Sequence, residues 1–336
     1  MSNNRIRALA SAINYGKTSP RPLEILRDAD VDATILAPER PLTEDEIAER
    51  LSHGYDALIA GLEPLTARVM DAAPDLKLIA RVGIGFNNVD LLAARQRGIM
   101  VTYTPDAPTF SVAEMTVGMM VILQRHMIDA DRDLRRGVWT MFVGKRVGLS
   151  TVGLIGVGRI GKAVARSLKA GFPGCRVLGN DLEPDEAFGR EVGLEWADKE
   201  TIFRTCDIVS VHIPLHKANK GLIGAPQLAM MKPGVILVDT SRGSIVDETA
   251  LADALRSGHV GALGKDVFAR EPYKGPLTEF DNVLLTAHMG GASDDSRFLL
   301  ETGAAREVAN MALGKPFDNP VPEVEYRRAE QEKDIA

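Results

Sequence analysis

The stretch Val147–Asp181, VGLSTVGLIGVGRIGKAVARSLKAGFPGCRVLGND, contains a strand, a glycine-rich turn and a helix in that order. The apolar, β-branched run that ends at Ile155 is typical of a buried parallel strand. The turn that follows spans Gly156–Gly161, and Lys162–Ala170 then carries apolar residues at helical spacing. A second apolar run closes the stretch, so a second strand is predicted there.

The turn has the spacing GxGxxG, which suits the binding of a pyrophosphate. Its first glycine permits a tight turn, the second lets the backbone approach the phosphates, and the third lets the helix pack on the strand. We predict that Gly156, Gly158, Arg159, Ile160 and Gly161 contact a dinucleotide cofactor. An ordinary glycine turn is the alternative, because 31 glycines in 336 residues produce the motif by chance in about one such chain in four.

Asp181, twenty residues after Gly161, indicates which dinucleotide is bound. A carboxylate at the end of the second strand accepts hydrogen bonds from the adenosine ribose hydroxyls and repels a 2′-phosphate. The residues that follow, Leu182–Asp185, include no arginine or lysine that could bind such a phosphate. The sequence therefore predicts NAD rather than NADP.

The composition argues against several classes of function. A hydrophobic content of 45% and a charged content of 26% are typical of globular proteins. The net charge of −6 argues against binding to nucleic acid or to an acidic membrane surface. Cys175 and Cys206 lie in apolar segments and indicate reduced core thiols, with a structural bridge as the alternative. Without a signal-peptide pattern or a membrane-spanning run, we expect a cytoplasmic protein.

Residues 1 to about 104 alternate short apolar runs with amphipathic segments. Thr43-Glu44-Asp45-Glu46 is a capping box that begins one helix, and Gly98 ends another. This alternation predicts a parallel sheet covered by helices on both faces. The predicted strands are Arg7–Ala12, Ala33–Ala37, Ala57–Gly61, Leu76–Arg81 and Ile99–Thr104, and the predicted helices are Leu23–Ala29, Thr43–Ser52, Leu65–Ala72 and Val89–Arg97.

The remaining chain predicts a second α/β unit around the glycine turn. Ser111–Arg136 is predicted as one long buried helix, because apolar residues cover much of its circumference. Asp294–Ala312 is predicted as a terminal helix, followed by a mobile charged tail. With about six strands this unit is expected to be doubly wound. Its strands after Asp181 are Asp207–Ile213, Val235–Thr240, Gly261–Phe268 and Val283–His288.

Three polar motifs stand at the ends of these strands. They read DTSRGSIVDE from Asp239, DVFAREP from Asp266 and TAHMGG from Thr286. Ligands of open α/β sheets bind at the carboxyl ends of strands, which is where Arg242, Asp266 and His288 fall. Each of these side chains alone is more often an ordinary surface or core residue, but their order along the chain favours a site.

The sequence resembles the D-isomer-specific 2-hydroxyacid dehydrogenases, and among them most the D-3-phosphoglycerate dehydrogenase branch. The resemblance runs from LKLIARVGIGFNNVDLLAARQRGI through SVAE, GVGRIG, TSRGSIVDETAL and DVFAREP to TAHMGG. It implies two doubly wound parallel-sheet, Rossmann-like α/β domains. An NAD-binding domain, residues 105–292, would be inserted in a flavodoxin-like substrate domain, residues 1–104 plus 293–336. A homodimer through the cofactor domain is also implied.

The resemblance assigns a catalytic set to Arg242, Glu271 and His288. Arg242 would hold the substrate carboxylate and keto oxygen with its planar fork of donors. His288 would give a proton to that oxygen or take it back, since the reference pKa of imidazole lies near neutrality. Glu271 would pair with the imidazolium, orient it and favour its charged form.

Further contacts follow from the same resemblance. The loop Val82, Gly83, Ile84 and Gly85 would meet the substrate carboxylate through backbone amides. Thr240 and Asp266 would line the nicotinamide side, and His212 matches a cofactor-edge position, with a structural role as the alternative. No metal site is predicted, because the other histidines lack partners at ligand spacing. The predicted cofactor contacts at these strand ends are His212, Pro214, Thr240, Asp266 and Gly290.

Some positions depart from the family pattern and leave the substrate open. Gly61-Leu62-Glu63 stands where phosphoglycerate enzymes often carry an Arg-Ser pair that meets the phosphate. Lys17 or Lys265 could compensate, although strand alternation turns Lys265 away from the face that Asp266 lines. We expect an NAD-dependent oxidoreductase for a small D-2-hydroxy acid or 2-keto acid, similar to 3-phosphoglycerate dehydrogenase. The alternatives are a hydroxypyruvate or glyoxylate reductase and a non-enzymatic NAD(H)-sensing protein.

Overall fold

The computed structural model describes residues 5–334, and these form two compact units. One unit runs to Pro108 and resumes at Gly291, and the other spans Thr109–Gly290. Both are α/β units with all-parallel sheets, as predicted. Within the described range no helix is both long and apolar enough to cross a membrane.

The sheet of the discontinuous unit has five strands in the order β2-β1-β3-β4-β5. This is the flavodoxin-like order expected from the resemblance. The central strands β3 and β4 are buried along their whole length, which explains why they consist of Ala, Leu and Ile with little alternation, apart from Arg81 at the end of β4. The strands are β1 (Arg7–Ala10), β2 (Asp32–Ile35), β3 (Ala57–Ala60), β4 (Leu78–Arg81) and β5 (Met100–Thr102).

Helices cover this sheet, and the two helix-end signals that the sequence indicated are both formed. The capping box at Thr43 is formed with Glu46, and Gly98 ends a helix in the left-handed conformation at φ +70°. These helices are α1 (Arg21–Asp28), α2 (Glu44–Leu51), α3 (Ala67–Asp71) and α4 (Leu91–Gln96).

The last part of the chain is more ordered than the sequence suggested. The predicted terminal helix forms α12 (Asp294–Ala312), but the tail predicted to be mobile forms a further helix, α13 (Glu323–Asp334). Tyr326 of α13 is buried in the core, and the Arg95 guanidinium lies 3.9 Å from its ring centroid. One aromatic anchor and its cation therefore fix a segment whose composition is otherwise polar.

The second sheet has seven strands in the order β12-β11-β10-β9-β6-β7-β8. The order reverses between β9 and β6, so this sheet is doubly wound as predicted. The sequence indicated six of these strands and missed β8, which has only two residues. The strands are β6 (Thr151–Ile155), β7 (Arg176–Asn180), β8 (Glu195–Trp196), β9 (Ile208–Val211), β10 (Val235–Asp239), β11 (Val260–Lys265) and β12 (Val283–Leu285).

The helix predicted over Ser111–Arg136 is wrong in one respect, because the chain breaks it near His126. His126 adopts a left-handed φ of +53°, which an α-helix cannot continue. Gly144 crosses so close to the end of the first helix that a Cβ there would lie 2.3 Å from the Gln124 carbonyl oxygen. The two segments are α5 (Thr109–Gln124), which is buried in the core, and α6 (Met127–Arg135), which has no buried residue.

Five more helices pack on the second sheet. The one after the glycine turn has its apolar residues Val164 and Leu168 in the core, as the helical spacing predicted. These helices are α7 (Arg159–Gly171), α8 (Glu186–Val192), α9 (Lys199–Thr205), α10 (Ala225–Met230) and α11 (Glu248–Arg256).

Candidate active site

The carboxyl ends of five neighbouring strands of the second sheet are level with one another. Strand register aligns the last residues of β6, β9, β10 and β11 with the last residue of β12. The residue after each strand is therefore delivered to one edge of the sheet. These residues are Gly156, His212, Thr240, Asp266 and Thr286.

The glycine turn has the geometry that a dinucleotide requires. Gly156 adopts φ +96° against the backbone of His212, and a Cβ on Gly161 would lie 2.2 Å from the Gly156 carbonyl oxygen. A Cβ on Gly158, by contrast, would meet nothing within 4 Å. Gly156 and Gly161 are thus required by the fold, whereas Gly158 leaves open space beside the first turn of α7, whose N–H groups have no partner within the helix. The turn fits a pyrophosphate.

Asp181 holds the glycine turn and keeps a negative charge beside it. Its Oδ2 accepts from the Val157 N–H at 2.7 Å, and its Oδ1 accepts from the Glu183 N–H at 3.3 Å. The nearby Lys162 donates to Asp185 Oδ2 at 2.6 Å, so its charge is compensated. The Asp181 carboxylate, beside a lysine already paired with Asp185, makes a poor environment for a 2′-phosphate.

Glu271 and His288 form a hydrogen bond, with Oε2 and Nδ1 2.8 Å apart. The Phe268 N–H donates to the other carboxylate oxygen at 3.0 Å, which fixes the carboxylate plane. Burial alone would raise the pKa of Glu271, but the His288 hydrogen bond and the charges of His288 and Arg242 hold it below its usual value. Glu271 therefore stays ionised and orients the imidazole ring.

Asp266 anchors the loop that carries His288. Its carboxylate accepts from the Thr286 hydroxyl at 2.6 Å and from the Met289 and Gly290 N–H groups, each at 2.8 Å. The His288 N–H donates to the Asp266 carbonyl oxygen at 2.8 Å. His288 itself adopts a left-handed φ of +50°, a strained conformation that such anchoring can maintain. Contact of Asp266 with a nicotinamide carboxamide stays a prediction.

Arg242 lies beside this pair on the loop after β10. Burial lowers the pKa of Arg242, while the neighbouring charges of Glu271 and Asp239 oppose that shift. The loops of Arg242 and Glu271 touch at Gly243, where a Cβ would lie 1.8 Å from the Phe268 carbonyl carbon. The structure thus brings Arg242, Glu271 and His288 together, with a cation, an acid and an imidazole at one sheet edge.

His212 is held neutral at the neighbouring strand end. Its Nε2 lies 2.9 Å from the Ser210 hydroxyl, and its Nδ1 is buried without a partner among the described residues. Burial lowers the pKa of His212 to about 4, although Asp239 opposes the shift. Pro214 follows, and its carbonyl oxygen accepts from the Asn219 amide at 2.6 Å. Both residues lie where a cofactor edge was predicted.

Two contacts at this edge were not predicted from the sequence. Lys265 donates to the Asp239 carboxylate at 2.7 Å, and both side chains are fully buried. Glu248, the first residue of α11, accepts from the Ala269 N–H at 2.9 Å and so holds the loop that leads to Glu271. Lys265 was visible in the sequence as a charge inside an apolar run, but its partner becomes evident only from the strand register.

The predicted substrate loop lies at the corresponding edge of the other unit, after β4. Thr104 accepts from the Gly83 N–H at 2.9 Å, and the Arg81 side chain donates to the Gly85 carbonyl oxygen at 3.2 Å. These bonds fix the backbone of Val82, Gly83, Ile84 and Gly85. Whether this loop meets a substrate carboxylate stays a prediction.

The neighbouring loop after β3 presents an acid where a phosphate-binding pair is common in the resembled branch. Glu63 is fully buried and accepts from the Gly61 N–H at 3.0 Å and from the Ser11 hydroxyl. Lys17 donates to Asn14 at 2.8 Å. No group of three His, Cys, Asp or Glu side chains in residues 5–334 is arranged to hold a metal ion.

Known proteins resemble this chain over most of its length. Residues 117–290 match the sequence model described as D-isomer specific 2-hydroxyacid dehydrogenase, NAD binding domain. A glyoxylate reductase of Korarchaeum cryptofilum is 39% identical over 286 residues, which are 82% of this chain and 85% of the relative. The structure of a D-lactate dehydrogenase from Escherichia coli matches with a TM-score of 0.80 at 29% identity, over 94% of this chain and 99% of that one.

A D-3-phosphoglycerate dehydrogenase of Archaeoglobus fulgidus is 36% identical over 272 residues, which are 80% of this chain and 51% of the relative. The chain thus spans about half the length of that enzyme. The segment that matches the NAD-binding model contains the glycine turn, Asp181 and the catalytic candidates. The chain therefore belongs to the D-isomer-specific 2-hydroxyacid dehydrogenase family, whose NAD-binding domain it carries.

Proposed function

We propose that this dehydrogenase reduces a short, unphosphorylated 2-keto acid such as glyoxylate or hydroxypyruvate with NADH, and oxidises the corresponding 2-hydroxy acid with NAD. The observation that carries this proposal is the 2.8 Å pair between Glu271 and His288 beside Arg242, at the same sheet edge as the glycine turn. An imidazole fixed by a carboxylate next to a guanidinium is suited to proton transfer at the oxygen of a bound 2-keto acid.

Each catalytic side chain has one task in this proposal. Arg242 binds the carboxylate and the keto oxygen of the substrate and polarises the carbonyl group. His288, held through Nδ1, presents Nε2 as the atom that gives the proton to the keto oxygen in reduction and removes it from the hydroxyl in oxidation. Glu271 stabilises the charged imidazole. The nicotinamide supplies or accepts the hydride.

The cofactor is proposed to be NAD, bound in the unit that spans Thr109–Gly290. Gly156, Gly158, Arg159, Ile160 and Gly161 would hold the pyrophosphate at the start of α7. Asp181 would bind the ribose hydroxyls, and the strand-end residues would line the nicotinamide. Those residues are His212, Pro214, Thr240, Asp266 and Gly290. The substrate domain, residues 1–104 plus 293–336, would contribute Val82, Gly83, Ile84 and Gly85.

An unphosphorylated substrate is proposed because Gly61-Leu62-Glu63 stands where the resembled branch often has a phosphate-binding Arg-Ser pair, and Glu63 is a fully buried acid. Lys265 is fully buried against Asp239, Lys17 donates to Asn14, and Glu63 adds a buried acid next to the substrate loop. Oxidation of 3-phosphoglycerate is the second candidate, favoured by the 36% identity to a D-3-phosphoglycerate dehydrogenase.

The first experiment is an NADH-oxidation screen at neutral pH. Glyoxylate, hydroxypyruvate, pyruvate, oxaloacetate and 3-phosphohydroxypyruvate are each tested, with NADPH in parallel. Turnover of an unphosphorylated acid with NADH supports the proposal, and a preference for the phosphorylated acid supports the second candidate. Tight NADH binding without any turnover would instead indicate an NAD(H)-sensing protein.

His288→Ala tests the assignment of roles. Loss of the proton donor should lower kcat by about 10³-fold, while the NADH Kd from fluorescence titration stays within about twofold of wild type. His53→Ala, at an exposed histidine of the other unit, is the matched control. Loss of NADH binding in His288→Ala, or full turnover, would contradict the assignment.

A cytoplasmic homodimer is also proposed, with no nucleic-acid or membrane partner. The segment between α6 and β6 exposes a row of large apolar side chains, with Trp139 at 88%, Met141 at 84% and Val143 at 86%. An exposed apolar stretch of this kind is typical of an interface. Light scattering should give about twice the 36.3 kDa mass of one chain, and Trp139→Ser with Val143→Ser should shift the mass toward the monomer.

A further inference from the structure

Lys265 is a charged residue at a fully buried position of the sheet, where apolar residues are usual. It ends β11 with no exposed surface, and its Nζ lies 2.7 Å from Asp239 Oδ2, itself fully buried. Removing two charges from water is unfavourable for each ion, so an apolar pair of similar volume is often at least as stable. Stability alone therefore does not explain the pair.

The pair leads by successive hydrogen bonds to Arg242. The second oxygen of Asp239, Oδ1, accepts from the Ser241 N–H at 3.1 Å and from the Ser241 hydroxyl at 2.6 Å. The Ser241 carbonyl oxygen in turn accepts from Arg242 Nη1 at 2.6 Å. One oxygen of the Asp239 carboxylate is thus held by Lys265, while the other sets the turn from which the guanidinium projects.

Lys265 acts through Asp239 because it cannot reach a ligand itself. Asp239 and Lys265 are register partners in neighbouring parallel strands, so their side chains lie on one face of the sheet. The next residues, Thr240 and Asp266, point to the opposite face, where Thr240 contacts Thr116 of α5. Lys265 Nζ instead lies 5.9 Å from the ring centroid of Phe268, inside the core.

We propose that the buried Lys265–Asp239 ion pair positions Arg242 for binding of the substrate carboxylate. Lys265 and Asp239 are positioning residues, and the inference rests on the proposed function of Arg242. Lys265 makes a charge-assisted hydrogen bond to Asp239 Oδ2 and so fixes the carboxylate whose other oxygen accepts the two Ser241 hydrogen bonds. Without Lys265 the turn from Asp239 to Arg242 loosens, and the guanidinium loses its fixed direction.

Lys265→Met is compared with the double variant Asp239→Asn/Lys265→Met to test this. The single variant leaves a buried carboxylate without a partner, whereas the double variant removes both charges and keeps an oxygen that accepts from Ser241. For Lys265→Met we expect a rise of about tenfold in KM for glyoxylate, or for the keto acid that the wild type prefers, with the NADH Kd within about twofold. The double variant should recover to within about threefold.

Amide hydrogen exchange of the peptide that contains Ser241–Ile245 provides a readout that needs no substrate. We expect exchange about tenfold faster in Lys265→Met and near wild type in the double variant. Lys232→Met is the matched control, since Lys232 also pairs with an aspartate, Asp207, which directly precedes β9, at 3.0 Å. It should change neither KM nor exchange at Ser241–Ile245.

Unchanged exchange in Lys265→Met, or a double variant as impaired as the single one, overturns the inference. If the wild type reduces no keto acid, the proposed function fails, but exchange at Ser241–Ile245 still decides whether the pair fixes the turn. Should Lys265→Met not fold, Lys265→Gln keeps a donor near Asp239 and should give a smaller rise in both readouts. A Lys265→Gln variant identical to wild type in both would also overturn the inference.

Discussion

At the scale of single residues, Glu271 is the group on which the proposed proton transfer depends. Its carboxylate holds His288 Nδ1 at 2.8 Å and is fixed in turn by the Phe268 N–H. Glu271→Gln keeps the shape but removes the charge that stabilises an imidazolium. We expect kcat to fall by about 10- to 100-fold with the NADH Kd unchanged. Glu279 is an exposed acid in the following turn, and Glu279→Gln should leave kcat unchanged. Equal losses of kcat in both variants would contradict the role of Glu271.

The same carboxylate predicts how stability depends on pH. Because the pKa of Glu271 is held below its usual value, the unfolded chain binds its proton more readily than the folded chain does. Its contribution to the free energy of unfolding is therefore complete above about pH 5 and is lost as the pH falls through the folded pKa. The stability difference between wild type and Glu271→Gln, measured by urea unfolding, should shrink as the pH falls from about 5 to below about 4.

The site residues could be predicted from the sequence to different degrees. Arg242, Glu271 and His288 were assigned through a family resemblance, and the structure brings them together at one sheet edge. The partner of Lys265 was not foreseen, because periodicity gives the face of a strand but not its neighbour. Asp239 is identified only when β10 and β11 are seen to pair in register.

At the scale of elements, the loops after β10 and β11 are joined through Gly243. A Cβ at this position would lie 1.8 Å from the Phe268 carbonyl carbon and 2.2 Å from its oxygen. Since both atoms belong to the backbone, Gly243→Ala must move one loop. We expect a loss of more than about 4 kcal/mol in the free energy of unfolding or a failure to fold.

Gly118→Ala is the matched control for Gly243→Ala. Gly118 lies within α5, and a Cβ there would meet nothing within 4 Å. Alanine should therefore stabilise the helix by up to about 1 kcal/mol. Thermal unfolding compares the two variants. If Gly243→Ala has the same Tm as the wild type, the two loops are not in the close contact described.

Elements were predictable where local chemistry determined them. The strands β1 to β5 and the helix α12 follow from apolar runs, caps and helical spacing, with ends displaced by a few residues. The break at His126 was missed because helical spacing shows neither the left-handed φ of His126 nor the approach of the distant Gly144 to the end of α5. The helix α13 was missed because its polar composition conceals one buried residue, Tyr326.

At the scale of the whole molecule, the two α/β units have the same kind of sheet and the same placement of candidate site residues. Each is a parallel sheet with a reversal of strand order, and in each the candidate site residues lie at the carboxyl ends of the strands. The repeating strand and helix pattern made the fold class predictable. The substrate was not predictable in the same way, because it depends on which charged side chains are already paired, as Lys265 is with Asp239.

His212 links the site to the stability of the molecule in acid. Burial lowers its pKa to about 4, so the folded protein resists protonation that the unfolded chain accepts near pH 6.5. Its contribution to the free energy of unfolding is complete above about pH 6.5 and falls by about 3 kcal/mol as the pH drops to about 4. His212→Asn, which keeps a polar group near Ser210, should show a flatter decline in urea unfolding across this range. His53→Asn, at an exposed histidine, should retain the wild-type slope. An equally steep decline in His212→Asn would mean that His212 is not the source of the acid instability.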